Sequence, residues 1–198
     1  TNKVQKIEVA DLSILFFGEP ELKIDKENKI ININLKKPDE KIVFYDSNMI
    51  DWKINVDHVQ TFSTSNIRND KRLLTGCITF NNIFVSNLEI QVKNSFCEDS
   101  INFINSSGDI KSMKVINSNF DGVDLDFSNL NIEYLNIINS KNDCLDLSYG
   151  NYTINQLENN LCGDKGISVG ENSNLTIKDT VIKNSNIGIA VKDSSVAY

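Results

Sequence analysis

The second half of the chain repeats one short pattern of apolar and polar positions. Each copy consists of a small residue, an aliphatic residue, a polar or small residue and an apolar residue. The aliphatic positions Ile101, Val123, Leu145, Ile167 and Ile189 are 22 residues apart. Because one residue separates the two apolar positions, both side chains point to the same side of an extended strand. The pattern therefore predicts short β-strands that recur with a period of 22 residues.

Other positions keep the same spacing. Ile110, Ile132 and Ile154 are 22 residues apart, and the pair Asn-Ser recurs at 94, 117, 139 and 184, with one copy missing where Leu161 stands. A unit of this length cannot bury its own apolar residues, but stacked units form a continuous core. No segment shows a helical stripe. We therefore predict an all-β fold, a right-handed parallel β-helix of about 22 residues per coil, with ladders of asparagine side chains at its turns.

The two ends of the chain differ from this regular part. Residues 1–50 are less regular and are expected to form an N-terminal cap or irregular first coils, because an uncovered end strand invites edge pairing. Residues 51–198 are expected to form the β-helix. The chain stops at Tyr198, shortly after a copy of the pattern. We therefore expect the β-helix to continue, or an adjoining domain or another subunit to cover that end.

Composition narrows the classes of partner. The net charge of −7 and the pI near 4.8 argue against nucleic acid, whose binding rests on clustered lysine and arginine. No apolar run is long enough for a membrane span. The four cysteines form no CxxC pair. We expect them to be buried, reduced thiols, with disulfides as the alternative.

The segment 74–196 resembles the right-handed β-helix repeat regions of bacterial secreted and surface proteins, a group that includes pectate-lyase-like and carbohydrate-binding domains. The residues that carry the likeness are those at 74–77, 97–102, 121–128, 142–146, 163–171 and 186–193. The more particular likeness is to β-helix segments that accompany CotH-like kinase domains. The resemblance implies the fold and a secreted or cell-surface location, with the cytoplasm as the alternative, and carries no function over.

Acidic residues occupy equivalent positions in successive repeats. Asp124 and Asp146 share one outward position, and Asp126 lies two residues further along the same strand face. Close carboxylates can bind Ca²⁺ or act as the acid and base of glycoside hydrolysis. These three residues are the catalytic candidates, and Asp124 with Asp146 is the candidate calcium site. The alternative that we favour is structural, with both side chains simply solvated.

A second acidic column lies two residues before the aliphatic position. It contains Asp99, Asp121 and Asp143, and Lys165 occupies the next step. Asp121, Asp143 and Lys165 are therefore candidate ligand-binding residues. In the structural alternative the column caps turns through backbone N–H groups, and Lys165 neutralises its end.

Taken together, these features favour a binding or structural module that presents an elongated face to carbohydrate or to a protein partner. The alternative is a polysaccharide-active enzyme, a lyase, hydrolase or epimerase, that uses Asp121, Asp124, Asp126, Asp143 and Asp146. No cofactor is expected other than calcium. The lone histidine, His58, is expected to be structural. Trp52, Phe62 and Tyr134 are expected in the core, with stacking on sugar rings as the alternative.

Overall fold

The computed structural model describes residues 4–59 and 73–198. In these residues the chain is all-β, with 76% of it in strands and no helix, and parallel coils stack into a β-solenoid of about seven turns. The predicted fold class is confirmed. Coils average about 23 residues rather than 22, because some steps between coils are longer. Ile78 pairs with Ile101 at a step of 23, for example.

The strands before the regular repeats are β1 (Val4–Val9), β2 (Leu12–Phe17), β3 (Glu21–Asp25), β4 (Ile30–Leu35), β5 (Lys41–Ile50) and β6 (Lys53–His58). The strands of the repeats are β7 (Gly76–Ser95), β8 (Asp99–Ile104), β9 (Ser107–Ser118), β10 (Asp121–Asp126), β11 (Asn129–Ser140), β12 (Leu145–Ser148), β13 (Asn151–Gly170), β14 (Asn174–Val191) and β15 (Val196–Ala197). Strands β8, β10 and β12 occupy equivalent places in successive coils, as do β9 and β11.

The aliphatic column that the repeat predicts forms the centre of the core. Val123 pairs in parallel register with Ile101 on one side and Leu145 on the other, and Leu145 pairs with Ile167. All four side chains are fully buried. Each coil thereby covers the apolar residues of its neighbours, which no coil could do alone.

The two ends of the solenoid are built differently. At the N-terminal end, β1 and β2 form an antiparallel hairpin that continues antiparallel onto β5, and β3 pairs antiparallel with β4. These hairpins lie against the first parallel coils, in which β5 and β6 pair with β7. At the other end Ile189 and Val191 are 43% and 47% exposed. That something covers this end remains a prediction.

Asparagine ladders run along the turns. Asn117 donates its side-chain amide to Asn94 at 3.0 Å, and Asn139 donates to Asn117 at 2.9 Å. All three residues have φ between 57° and 63°, the left-handed conformation that asparagine tolerates better than most residues. The predicted ladders are confirmed. Where the Asn-Ser pair is missing, Leu161 has the same left-handed conformation, with φ of 60°. Asn184 donates to Asn160 instead.

Replacing this leucine should stabilise the fold. Leu161→Asn places an amide between Asn139 and Asn184 and removes the cost of a left-handed leucine, so we expect the free energy of unfolding to rise by about 1 kcal/mol. Urea unfolding measures the change. Leu161→Ala is the matched control, because it removes the 48% exposed apolar side chain without adding an amide. Equal stabilities of the two variants would contradict the ladder explanation.

The cysteines are buried as expected, but the prediction of reduced thiols is wrong. Cys77 is bonded to Cys97 and Cys144 to Cys162, and the described residues contain no free cysteine. The reason is visible in the register. Cys144 and Cys162 hold the repeat positions at which an earlier coil has Ser100 and Ser118, whose hydroxyls lie 2.9 Å apart. This part of the coil thus brings two small inward side chains into contact.

Candidate functional site

The three catalytic candidates lie together on the outer side of β8, β10 and β12. Asp124 pairs with Asp146 on the next coil and with Asn102 on the preceding one, and Asp126 lies two residues further along β10. We refer to Asn102, Asp124, Asp126 and Asp146 as the acid face. The repeat spacing predicted this juxtaposition of the carboxylates, and the parallel register confirms it.

The acid face is more enclosed than expected. Asp124, Asp126 and Asp146 are only partly exposed, and Asn102 is 1% exposed. The side-chain amide of Asn102 donates to Asp124 at 3.2 Å and to Asp126 at 3.1 Å, so the two carboxyl groups converge on one donor. The interpretation that Asp124 and Asp146 are simply solvated is therefore wrong.

Burial shifts the proton affinity of all three carboxyl groups. It raises the pKa of Asp124 well above the ordinary value, and the neighbouring carboxylates, led by Asp99, raise it further. Burial likewise raises the pKa values of Asp126 and Asp146, against hydrogen bonds that lower them. Carboxyl groups of this kind occur in acid–base catalysis and wherever a buried acid lacks a compensating cation.

The second acidic column makes the contacts with backbone N–H groups and with Lys165 that the structural alternative predicts. Asp121 accepts the backbone N–H of Asp143 at 2.7 Å, and Asp143 accepts the backbone N–H of Lys165 at 2.9 Å. The ammonium group of Lys165 lies 3.3 Å from Asp143. Burial raises the pKa of Asp121 to about 6 despite these bonds. A ligand-binding role for Asp121, Asp143 and Lys165 remains a prediction.

Some buried oxygens beside the acid face have no hydrogen-bond partner. They include Oδ1 of Asn102 and Oδ2 of Asp99, whose side chains are 1% and 2% exposed. Buried polar atoms in folded proteins are usually satisfied, so unpaired ones point to a bound water, proton, ion or ligand. The hydroxyl oxygens of Thr79 and Ser168, which pair with Asn102 and Asp146 on the neighbouring coils, are also buried without a partner.

The calcium prediction rests on Asp124 and Asp146 alone. In residues 4–59 and 73–198, no group of three or more histidine, cysteine, aspartate or glutamate side chains has an arrangement that could hold a metal ion. Calcium usually takes six to eight oxygen ligands, which two carboxylates cannot supply without carbonyls or water. Calcium binding remains a prediction.

An aromatic pair that the sequence analysis did not identify borders the acid face. Phe127 directly follows β10 and Tyr149 directly follows β12. Their rings stack with centroids 4.8 Å apart and planes 3° apart, and the side chains are 56% and 48% exposed. Both residues have left-handed φ angles, at a turn position where neighbouring coils have Asn105 and Glu171. The 22-residue spacing from Asn105 was the signal that could have identified them.

A shallow depression extends this surface toward the N-terminal end. It has a volume of about 500 Å³ and is lined by polar residues, by Ile83 and by the exposed side chain of Phe84. Asn105 also lines it and donates its backbone N–H to the carbonyl of Asp126 at 3.0 Å. The acid face, the aromatic pair and the depression are therefore contiguous. The polar residues of the lining are Asp11, Asp46, Ser47, Asn48, Asn82, Asn105 and Ser107.

The other candidates lie away from this surface. His58 is 3% exposed, bonds the carbonyl of Lys37 at 3.2 Å and packs edge-on against Phe96, which fits the structural role expected of it. Trp52 is in the core, as predicted. Tyr134 is not in the core, since it lies on the outer side of β11 and its hydroxyl donates to Glu158. Phe62 lies outside the described residues.

Comparisons with protein-family models, with curated proteins and with solved structures each gave no match to this chain. The classification of the chain therefore rests on its own architecture, a parallel β-solenoid. Among the described residues there is no helix with the length and apolar character needed to cross a membrane.

Proposed function

We propose that the protein is a carbohydrate-binding module whose contact surface is the acid face together with Phe127 and Tyr149. The observation that carries the proposal is the exposed aromatic pair. A left-handed backbone costs roughly 1–2 kcal/mol for most residues but little for asparagine, which occupies this turn in other coils. Large apolar rings at such a position are unfavourable for folding, although their mutual stacking offsets part of the cost. Binding to a ligand explains why they are there.

The chemistry of the surface suits a sugar. A saccharide ring has an apolar C–H face that can lie against an aromatic ring, and hydroxyl groups that both donate and accept hydrogen bonds. The acid face offers carboxylate and amide groups directly beside the rings, and binding sites commonly combine aromatic walls with a few convergent polar groups. The alternative ligand is a protein partner, which could contact the same elongated face.

The proposal includes export from the cytoplasm. Disulfides persist mainly in oxidising compartments, and this chain has two. This supports the secreted or surface location implied by the resemblance to bacterial β-helix proteins. A pectate-lyase-like relationship and an association with CotH-like kinases are narrower forms of the same proposal.

The test is a double substitution of the aromatic pair. Phe127→Asn with Tyr149→Asn installs the residue that other coils have at this turn, so the fold should be kept while the stacking surface is lost. We expect binding to an immobilised glycan panel to weaken at least about tenfold, the effect of losing about 1.4 kcal/mol. Leu161→Asn is the matched control, because it makes the same kind of exchange at a different turn. Unchanged affinity, or an equal loss in the control, would refute the proposal.

One observation favours the enzyme alternative. Asp124 and Asp126 converge on the amide of Asn102, and burial raises both pKa values, as a general acid requires. Prolonged incubation with a polysaccharide panel separates the two functions. New chain ends that appear with the native protein but not with Asp124→Asn would establish an enzyme. Binding without product favours the module.

A further inference from the structure

We infer that the acid face selects a cationic saccharide, one that carries protonated amino groups, such as an oligomer of glucosamine. This inference rests on the proposed function and names its ligand class. Three features support it: the balance of charge, the unpaired oxygen of Asn102 and the position of the aromatic pair.

The charge on this surface is poorly compensated. Asp124, Asp126 and Asp146 lie together, and Glu171 adds a further carboxylate that raises the pKa of Asp126. Of the nearby cations, Lys165 is already paired with Asp143 and Asp164. The positive charge of Lys192 lowers the pKa of Asp146. Enclosed carboxylates gain most from a ligand that brings positive charge and hydrogen-bond donors together.

The unpaired oxygen is the second feature. The side chain of Asn102 is 1% exposed and lies within the cluster, because its amide nitrogen contacts both Asp124 and Asp126. Its oxygen, Oδ1, has no hydrogen-bond partner. An ammonium group has three donors and no acceptor, so it suits carboxylate and amide oxygens, which only accept hydrogen bonds. A hydroxyl group, with one donor, does so less well.

The aromatic pair is the third feature. Phe127 and Tyr149 directly follow the strands that carry Asp126 and Asp146. Cations are attracted to the faces of aromatic rings, and quaternary or protonated amines are often held by aromatic and acidic groups together. Anionic saccharides such as uronates would meet like charge at the same place and should bind poorly.

Calorimetric titration with three oligomers of equal length tests the inference. The probes are a glucosamine oligomer, its N-acetylated counterpart, which has no charge, and a galacturonate oligomer. At a pH at which the amine is protonated, we expect the glucosamine oligomer to bind at least about tenfold more tightly than the acetylated one. The preference should shrink as salt is added, because the interaction is partly exposed and therefore screened.

Variants identify the residues responsible. Asp124→Asn with Asp126→Asn keeps the shape of the two side chains and removes their ionisable groups, so it should abolish the preference between charged and acetylated oligomers. Asp179→Asn, at an exposed aspartate of β14, should leave it intact. Equal or tighter binding of the acetylated oligomer would overturn the cationic ligand and leave carbohydrate binding standing. Equally tight binding of polylysine, or no binding of any of the three oligomers, would overturn it as well, whereas carbohydrate binding itself is decided by the wider glycan panel.

Discussion

Replacing Asp99 with asparagine is expected to remove a large part of the pH dependence of stability. Asp99 is 2% exposed, and burial raises its pKa from 3.8 to about 8; a hydrogen bond from Thr75 lowers it, and the nearby Asp121 and Glu98 add to the rise. Between these pH values the folded chain holds a proton that the unfolded chain has released. The free energy of unfolding therefore falls as the pH rises, by an amount on the order of a few kcal/mol.

Urea unfolding at about pH 4, 6 and 8 measures this dependence. The native protein should lose stability across the range, with Asp121 contributing to the lower part, since its pKa is about 6. Asp99→Asn should flatten the curve and be the more stable form at the alkaline end. Asp179→Asn serves as the control at an exposed site. A native protein that gains stability toward pH 8, or an unchanged slope in Asp99→Asn, would show that Asp99 is ionised in the fold.

Removing the Cys144–Cys162 disulfide is the second large perturbation. The bond closes a loop with a sequence separation of 18. Without this bond the unfolded chain has more conformational entropy, which lowers the free energy of unfolding by about 3 kcal/mol. The replacement residue should matter, because the equivalent positions of an earlier coil hold Ser100 and Ser118 in hydrogen-bonding contact at 2.9 Å. The serine pair should therefore be more stable than the alanine pair by about 1 kcal/mol.

Thermal and urea unfolding of the two double variants, with and without reductant, provide the measurement. Reductant should lower the stability of the native protein more than that of either variant, which keeps only Cys77–Cys97. Counting thiols in the denatured, unreduced protein checks the premise directly. Four reactive thiols would mean that neither bond forms, and equal stabilities of the serine and alanine pairs would contradict the structural equivalence with Ser100 and Ser118.

The 22-residue repeat explains which parts of the candidate site could be predicted from the sequence. The neighbours of Asp124 were correctly placed because residues one repeat apart become neighbours in adjacent coils. The burial of Asp124 was not predicted, because it depends on the side chains that surround strand β10, including Asn102 and the neighbouring carboxyl groups. The aromatic pair was missed for a similar reason. Its exposure and stacking become apparent only when the turn conformation is known.

By itself the sequence determined the aliphatic column, the period-two strands, the asparagine ladders and the register of the acidic residues. The strands follow from the local alternation of apolar and polar residues. Each of the other features relates residues one coil apart, and stacking of the coils brings such residues into direct contact. Tertiary structure alone decided the pairing of Cys144 with Cys162, the antiparallel hairpins at the N-terminal end and the enclosure of the acid face. These depend on how the chain bends within a coil and at its first turns, where no spacing repeats and the packing of distant side chains sets the path.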